Sequence, residues 1–136
     1  MTPVVIDASA GAEMVGRTRR GRGLGRLLSP DAVGWVPEHF YAEVLAVLRR
    51  RLVIERKITE AQASTAVGQL RGWRLRKAAV SPLLDDAWRY RHNMTAADAI
   101  YVALAEHLGA DFLTDDHNLA DAPTFPSQIR VLRLPH

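Results

Sequence analysis

Val4, Val5 and Ile6 form an unbroken β-branched triplet, followed at once by Asp7 and then by the small residues Ala8, Ser9 and Ala10. A triplet of this kind reads as a buried strand. Asp7 then stands where that strand ends, and no basic residue lies within nine positions of it. Two readings are open at this point. Asp7 caps a helix that begins at Ala8, a role aspartate fills well, or it belongs to a site whose counter-ion lies elsewhere.

The rest of the chain repeats the pattern of short apolar runs separated by amphipathic ones. The stretch after Asp7 starts helically and then turns glycine- and arginine-rich, which predicts a short helix, a mobile basic segment and a second short helix near Leu24–Leu28. "AVGWVP" reads as a second strand ending at Pro37. "EHFYAEVLAVLRRRLVIER" reads as one long helix from about Glu38, with Tyr41, Leu45, Leu48 and Leu52 on its apolar stripe. Thr59–Gln62 is a capping box that opens a helix toward Gly72. "LRKAAV" holds a third strand, and Ser81 with Pro82 reads as the cap and first position of the next helix. Thr95 caps "AADAIYVALAEHL", which Gly109 ends, and "DFLT" and "IRVLRL" supply the last two strands. Strands alternating with helices imply an α/β layer fold on a mainly parallel sheet. Neither a repeat nor an interdomain linker interrupts the 136 residues, so one domain spanning 1–136 is expected.

In such sheets ligands sit beyond the carboxyl ends of the strands, and there the acids gather. Asp115 and Asp116 leave the "DFLT" strand much as Asp7 leaves the first. Asp98 lies in the first turn of the preceding helix, on the same side of the sheet if the crossover is right-handed. Glu43 lies early in the long helix, off its apolar stripe. Each has a plain structural role available: Asp98 closing a capping box, Glu43 facing solvent, Asp115 or Asp116 starting a turn. Together they pose an electrostatic problem. Two like charges about 4 Å apart repel by about 4 kcal/mol at an effective dielectric near 20, a large share of a typical stability of about 5–15 kcal/mol. Protons or a divalent cation must offset that. The chain has no cysteine, and His39, His92, His107, His117 and His136 are scattered, so zinc spacing is absent. An all-oxygen donor set selects Mg²⁺ or Mn²⁺.

The surface leans basic, with a net charge of +3 and a pI of about 9.8. All 18 basic residues other than Lys57 and Lys77 are arginines, which bind phosphate bidentately, although genome base composition also produces such an excess. Without cysteines, a leader-like opening or a long apolar run, the expected location is the cytoplasm, away from the membrane.

The segments "VVIDASA", "YAEVLAVLRR", "TAADAIYVALAEHLGA" and "FLTDDHNLA", in this order from Val4 to Leu134, resemble a PIN domain, and more narrowly the VapC-type toxins of bacterial toxin–antitoxin pairs. The resemblance implies a three-layer fold with about five strands and helices on both faces. It also implies Mg²⁺- or Mn²⁺-dependent endoribonuclease activity through the acidic quartet Asp7, Glu43, Asp98 and Asp116. Of these, Asp7, Asp98 and Asp116 hold metal, and Ser9, Thr95 and Thr114 support the quartet through their hydroxyls. Thr114, Asp116 and Leu119 match the family's strand-end pattern, which leaves Asp115 in a variable slot. The glycine- and arginine-rich segment Arg17–Arg26 departs from the usual apolar content there. Its Arg17, Arg19, Arg20 and Arg22 either bind RNA backbone or form a solvated loop. A homodimer and a VapB-like antitoxin are the partners implied, with the apolar faces around Tyr41–Leu52 and Ala61–Leu70 available to them.

Three other readings compete. A PIN-like nuclease acting in RNA processing or on DNA needs the same acids outside any toxin system. A non-catalytic RNA-binding module needs the basic surface and no quartet. A receiver-like signalling domain requires an acidic pair after the first strand and a lysine after the last; here Asp7 is alone and no lysine follows Lys77.

Overall fold

The computed structural model describes residues 1–135, so His136 lies outside the described residues. Five strands, all parallel, form one sheet in the order β3-β2-β1-β4-β5. They are β1 (Thr2–Ile6), β2 (Ala32–Pro37), β3 (Arg76–Ala78), β4 (Asp111–Leu113) and β5 (Val131–Leu132). The helices are α1 (Ala8–Val15), α2 (Arg19–Arg26), α3 (Phe40–Arg49), α4 (Glu60–Gly72), α5 (Leu84–Trp88), α6 (Ala96–Leu108) and α7 (His117–Ala120).

The central position of β1 follows from its composition. Val4, Val5 and Ile6 are all buried, as a strand covered on both faces requires. The chain steps outward from β1 to β2 to β3, then returns across the sheet to place β4 on the other side of β1. Right-handed crossovers in opposite directions put their helices on opposite faces: α1, α3 and α4 pack together, and α5 packs with α6. The result is a three-layer α/β fold whose switch point lies between β1 and β4, the place where open parallel sheets open a crevice.

Four local expectations change. The arginine-rich segment is helical: Thr18 caps α2 through its side chain, and Arg19–Arg26 follows without a break. Gly21 serves packing, since a Cβ there would lie 2.1 Å from the carbonyl oxygen of Glu13. The core stripe of α3 is Phe40, Val44 and Leu48, while Leu45 is 46% exposed. A helix that is apolar almost all round does not select one stripe by periodicity. The expected long helix also ends early, passing into a π-helical turn at Arg50–Ile54 and stopping at Arg56 with φ 52°. Finally, Ser81 caps nothing. It lies inside a 3₁₀ turn, Ser81–Leu83, that precedes α5, because the Leu83 N–H closes a tight bond on the Val80 carbonyl.

The capping box at Thr59 and Gln62 forms with both of its bonds. Thr95 caps α6, and Gly109 ends it at φ 60°, where glycine carries no steric penalty.

Candidate active site

Asp7 fills the capping role and also ties two strand ends together. Its Oδ1 accepts the Ala10 N–H at 3.0 Å, capping α1, and the Ser9 hydroxyl at 2.7 Å. Its Oδ2 accepts the hydroxyl of Thr114, which follows β4. Each hydroxyl is in turn gripped from behind. Ser9 Oγ accepts the Asp115 N–H at 2.9 Å, and Thr114 Oγ1 accepts the Asp116 N–H at 2.9 Å. Two adjacent amides of the strand exit thus turn both hydroxyl protons onto one carboxylate, locking the end of β1 to the end of β4.

This carboxylate is 3% exposed and has no cationic partner among the described residues. Burial raises its pKa to about 6, against the lowering effect of its three hydrogen bonds, and the charge of Asp98 adds to the rise. The Asp98 carboxyl is likewise held up, first by burial and then by the charges of Asp116 and Glu43; the Thr95 hydroxyl and His39 act in the opposite direction. Asp7, Glu43, Asp98 and Asp116 therefore share one electrostatic neighbourhood at the switch point. Thr95 Oγ1 accepts the Asp98 N–H at 3.2 Å, and Asp116 caps α7 by accepting the Leu119 N–H at 3.1 Å.

Glu43 projects from α3, where its Oε1 accepts the Tyr101 hydroxyl at 2.7 Å and lies 3.4 Å from His39 Nε2. The Tyr101 ring is 1% exposed and stacks obliquely on His39 at 4.8 Å. Burial pushes its phenol far up, reinforced by the bond to Glu43 and by the charges of Glu43, Asp7 and Asp98. Neither Tyr101 nor His39 is foreshadowed as a site residue by sequence. Tyr101 is one helical turn from Asp98, and that spacing alone was the available signal.

The donor set is all oxygen and, apart from His39 beside Glu43, has no basic neighbour among the described residues, which suits a hard cation. Among the described residues, no three acidic or histidine side chains stand close enough to form a ready ligand shell. An ion that keeps several of its waters, as Mg²⁺ does, fits such an open arrangement.

Of the four arginines, Arg20 stands at this rim. Its Nη2 lies 2.6 Å from Asp115 Oδ1 and its Nε 3.0 Å from Oδ2, a two-point fork across from α2. Arg22 turns back onto the carbonyl of Arg17, which itself adopts φ 52°. Among the described residues, Arg17, Arg19 and Arg22 make no hydrogen bond or ion pair with the four acids.

A model of the PIN domain matches residues 4–124. The chain is 35% identical to the ribonuclease VapC1 of Mycobacterium tuberculosis over 98% of its own length and all of that protein's. It is 36% identical to the ribonuclease VapC3 of the same species over 88% of this chain and 86% of that one. Among solved structures, VapC20 of Mycobacterium tuberculosis, described as a Sarcin-Ricin loop cleaving toxin, superposes with a TM-score of 0.66 at 19% identity, covering 93% of this chain and 98% of that one. VapBC2 of Rickettsia felis, solved on a DNA fragment from its promoter, gives 0.67 at 10% identity over 98% and 100%.

Proposed function

The chain belongs to the PIN-domain family, and from that premise we propose that it is the toxin of a toxin–antitoxin pair, an endoribonuclease that hydrolyses RNA phosphodiester bonds with Mg²⁺ or Mn²⁺. The observation that carries the reading is Asp7: a carboxylate 3% exposed, charge-coupled to Asp98 and without a cationic neighbour among the described residues. Such an acid cluster costs a fold of ordinary stability, and a cation bound from outside the chain would remove that cost.

Asp7, Asp98 and Asp116 are the groups that would hold the metal, with Glu43 completing the set. A bound divalent ion acidifies water and stabilises charge on the scissile phosphate. The chain's own contribution is preorganisation. Ser9 and Thr114 aim Asp7 by donating to both of its oxygens. Thr95 fixes the first turn of α6, and with it Asp98. Asp116 is steadied by the amide of Leu119. Hydrolysis through an activated water needs no nucleophilic side chain, and the hydroxyls of Ser9 and Thr114 act here as donors to Asp7. Arg20, on the rim, approaches the cleft with a fork shaped for a phosphate.

Relatives named as ribonucleases and a neighbour solved as a toxin–antitoxin complex from Klebsiella pneumoniae favour a VapB-like antitoxin as partner and RNA as substrate. A homodimer and a cytoplasmic location belong to the same proposal. Among the described residues no helix is long and apolar enough to cross a membrane. Exposed Leu45, Val53, Ile54 and Val67 leave apolar surface on the α3–α4 hairpin for a partner.

The test is to induce the protein in cells and map cleavage ends on total RNA, with Asp98→Asn as the control. Discrete new ends that vanish with Asp98→Asn, and vanish in vitro with EDTA, are expected. Identical growth arrest and identical ends with both proteins would remove catalysis as the cause.

A further inference from the structure

Glu43 reaches the acid cluster by a different route from the other three carboxylates. Asp7 and Asp116 accept backbone N–H groups at helix caps, and Asp98 rides on the capped first turn of α6. Glu43 lies inside α3, and its side chain, 35% exposed, has no backbone donor to hold it. A glutamate in that position loses considerable rotamer freedom when fixed. One short bond fixes it here.

That bond comes from Tyr101, whose hydroxyl donates to Glu43 Oε1 at 2.7 Å from a ring that is 1% exposed. The ring has two torsions, and burial with the His39 contact at 4.8 Å holds both. His39 is a weaker contributor. Its Nε2 is 3.4 Å from Oε1 and 3.3 Å from the Ala97 carbonyl, so its proton is shared. Glu43 Oε2 makes no hydrogen bond within the described residues, so this oxygen remains open to another partner. Asp98 and Tyr101 are three residues apart on α6 and so lie on one face of it. A single helix thus presents one acid of the cluster and restrains a second that belongs to another helix.

We infer that Tyr101 is a positioning residue for RNA cleavage: by holding one oxygen of Glu43 it presents the other to the divalent-cation site. The inference rests on the nuclease reading above. Loss of partners that orient metal-binding groups typically lowers metal affinity by about 10–100-fold, and the same range applies here at its lower end.

Mn²⁺ alone, titrated calorimetrically into the purified full chain, is the primary probe, followed by cleavage rate against Mn²⁺ concentration. Tyr101→Phe keeps the ring and removes the hydroxyl. It should weaken Mn²⁺ binding about tenfold, raise the Mn²⁺ needed for half-maximal rate by the same factor, and leave KM for RNA unchanged. Glu43→Gln should lose at least as much, and the double variant no more than Glu43→Gln alone. Tyr90→Phe breaks a comparable bond, from Tyr90 to Glu106, and should leave Mn²⁺ affinity as it was. If Tyr101→Phe does not fold, Glu43→Asp keeps the charge while withdrawing it from the hydroxyl, and the same loss is expected. Wild-type Mn²⁺ affinity in Tyr101→Phe or Glu43→Asp, with Asp98→Asn inactive, overturns the role of Tyr101 and leaves the nuclease standing. Absence of any metal-dependent cleavage in the wild type overturns the nuclease itself.

Discussion

Two shielded carboxylates flank the same short helix and are treated in opposite ways. Glu13, near the end of α1, lies 2.8 Å from Arg51 Nη2 through its Oε1 and accepts the Thr18 hydroxyl through Oε2. Asp7, which caps the start of α1, receives only neutral donors and faces another acid. Both are largely shielded, Glu13 at 15% and Asp7 at 3% exposure, so burial alone does not tell their roles apart. Charge balance does. An acid that serves the fold finds its cation within the chain, whereas Asp7 is left with a deficit that the fold tolerates and a bound ion would remove. The same contrast recurs nearby, where Asp115 is forked by Arg20 while its neighbour Asp116 accepts an amide and has no cationic partner among the described residues.

The contrast breaks most visibly in activity. Asp7→Asn should lower Mg²⁺- or Mn²⁺-dependent RNA cleavage by on the order of a thousandfold, since a metal ion contributes several kcal/mol to such reactions and each 1.36 kcal/mol is tenfold. Glu13→Gln should leave the rate per folded molecule unchanged. Comparable losses in the two variants, at matched folded fractions, would erase the distinction.

Stability should move the other way. The Asp7 carboxyl titrates at about 6 in the fold against 3.8 in the ordinary case. Between these values the folded protein binds more protons than the unfolded chain, so stability falls as pH rises from 3.8 to 6, and the full penalty persists above 6. A shift of about two units corresponds to about 3 kcal/mol at most. Asp7→Asn, neutral at every pH, should therefore melt higher than the wild type at pH 7.5 in EDTA, and that advantage should fade toward pH 4. A lower melting temperature for Asp7→Asn at pH 7.5 would mean that the hydrogen-bonded cap outweighs the buried charge.

Glu13→Gln should cost about 1–2 kcal/mol, because it leaves the partly buried Arg51 without its counter-charge. Denaturant midpoints measure this directly, and no change would place the pair with ordinary surface ion pairs. The smallest effect belongs to Arg20, which is 44% exposed in its bridge to Asp115. Arg20→Gln should change stability by less than about 1 kcal/mol. If the arginine contacts RNA, it should also reduce the salt slope of RNA binding by about one, a difference that binding titrations at several salt concentrations would resolve.

The elements with strong local signals were legible in advance. The Val4–Ile6 triplet, the Thr59 capping box and the Thr95–Gly109 helix each appear where propensity and capping place them. The failures share a cause. Arg17–Arg26 reads as mobile because glycine weakens isolated helices, yet Gly21 is what lets α2 lie directly on the Glu13 backbone. The α3 stripe is ambiguous because Tyr41, Val44, Leu45 and Leu48 are all apolar, and only the packing of α1 on α3, where Gly11 meets Phe40 and Val44, selects the buried set Phe40, Val44 and Leu48. Ser81 has the right neighbours for a cap and is overridden by a 3₁₀ turn.

What the chain of residues determined by itself was the alternation of strands and helices and the presence of acids at strand exits and helix starts, since these depend on local conformational preference and short-range capping. What only the tertiary arrangement decided was which hydrogens those acids receive. Ser9 and Thr114 meet on Asp7 across 105 residues, Tyr101 reaches Glu43 across 58, and Arg20 takes Asp115 across 95. Bonds that span such distances along the backbone exist because β4 returns beside β1, and no window of local sequence contains that return.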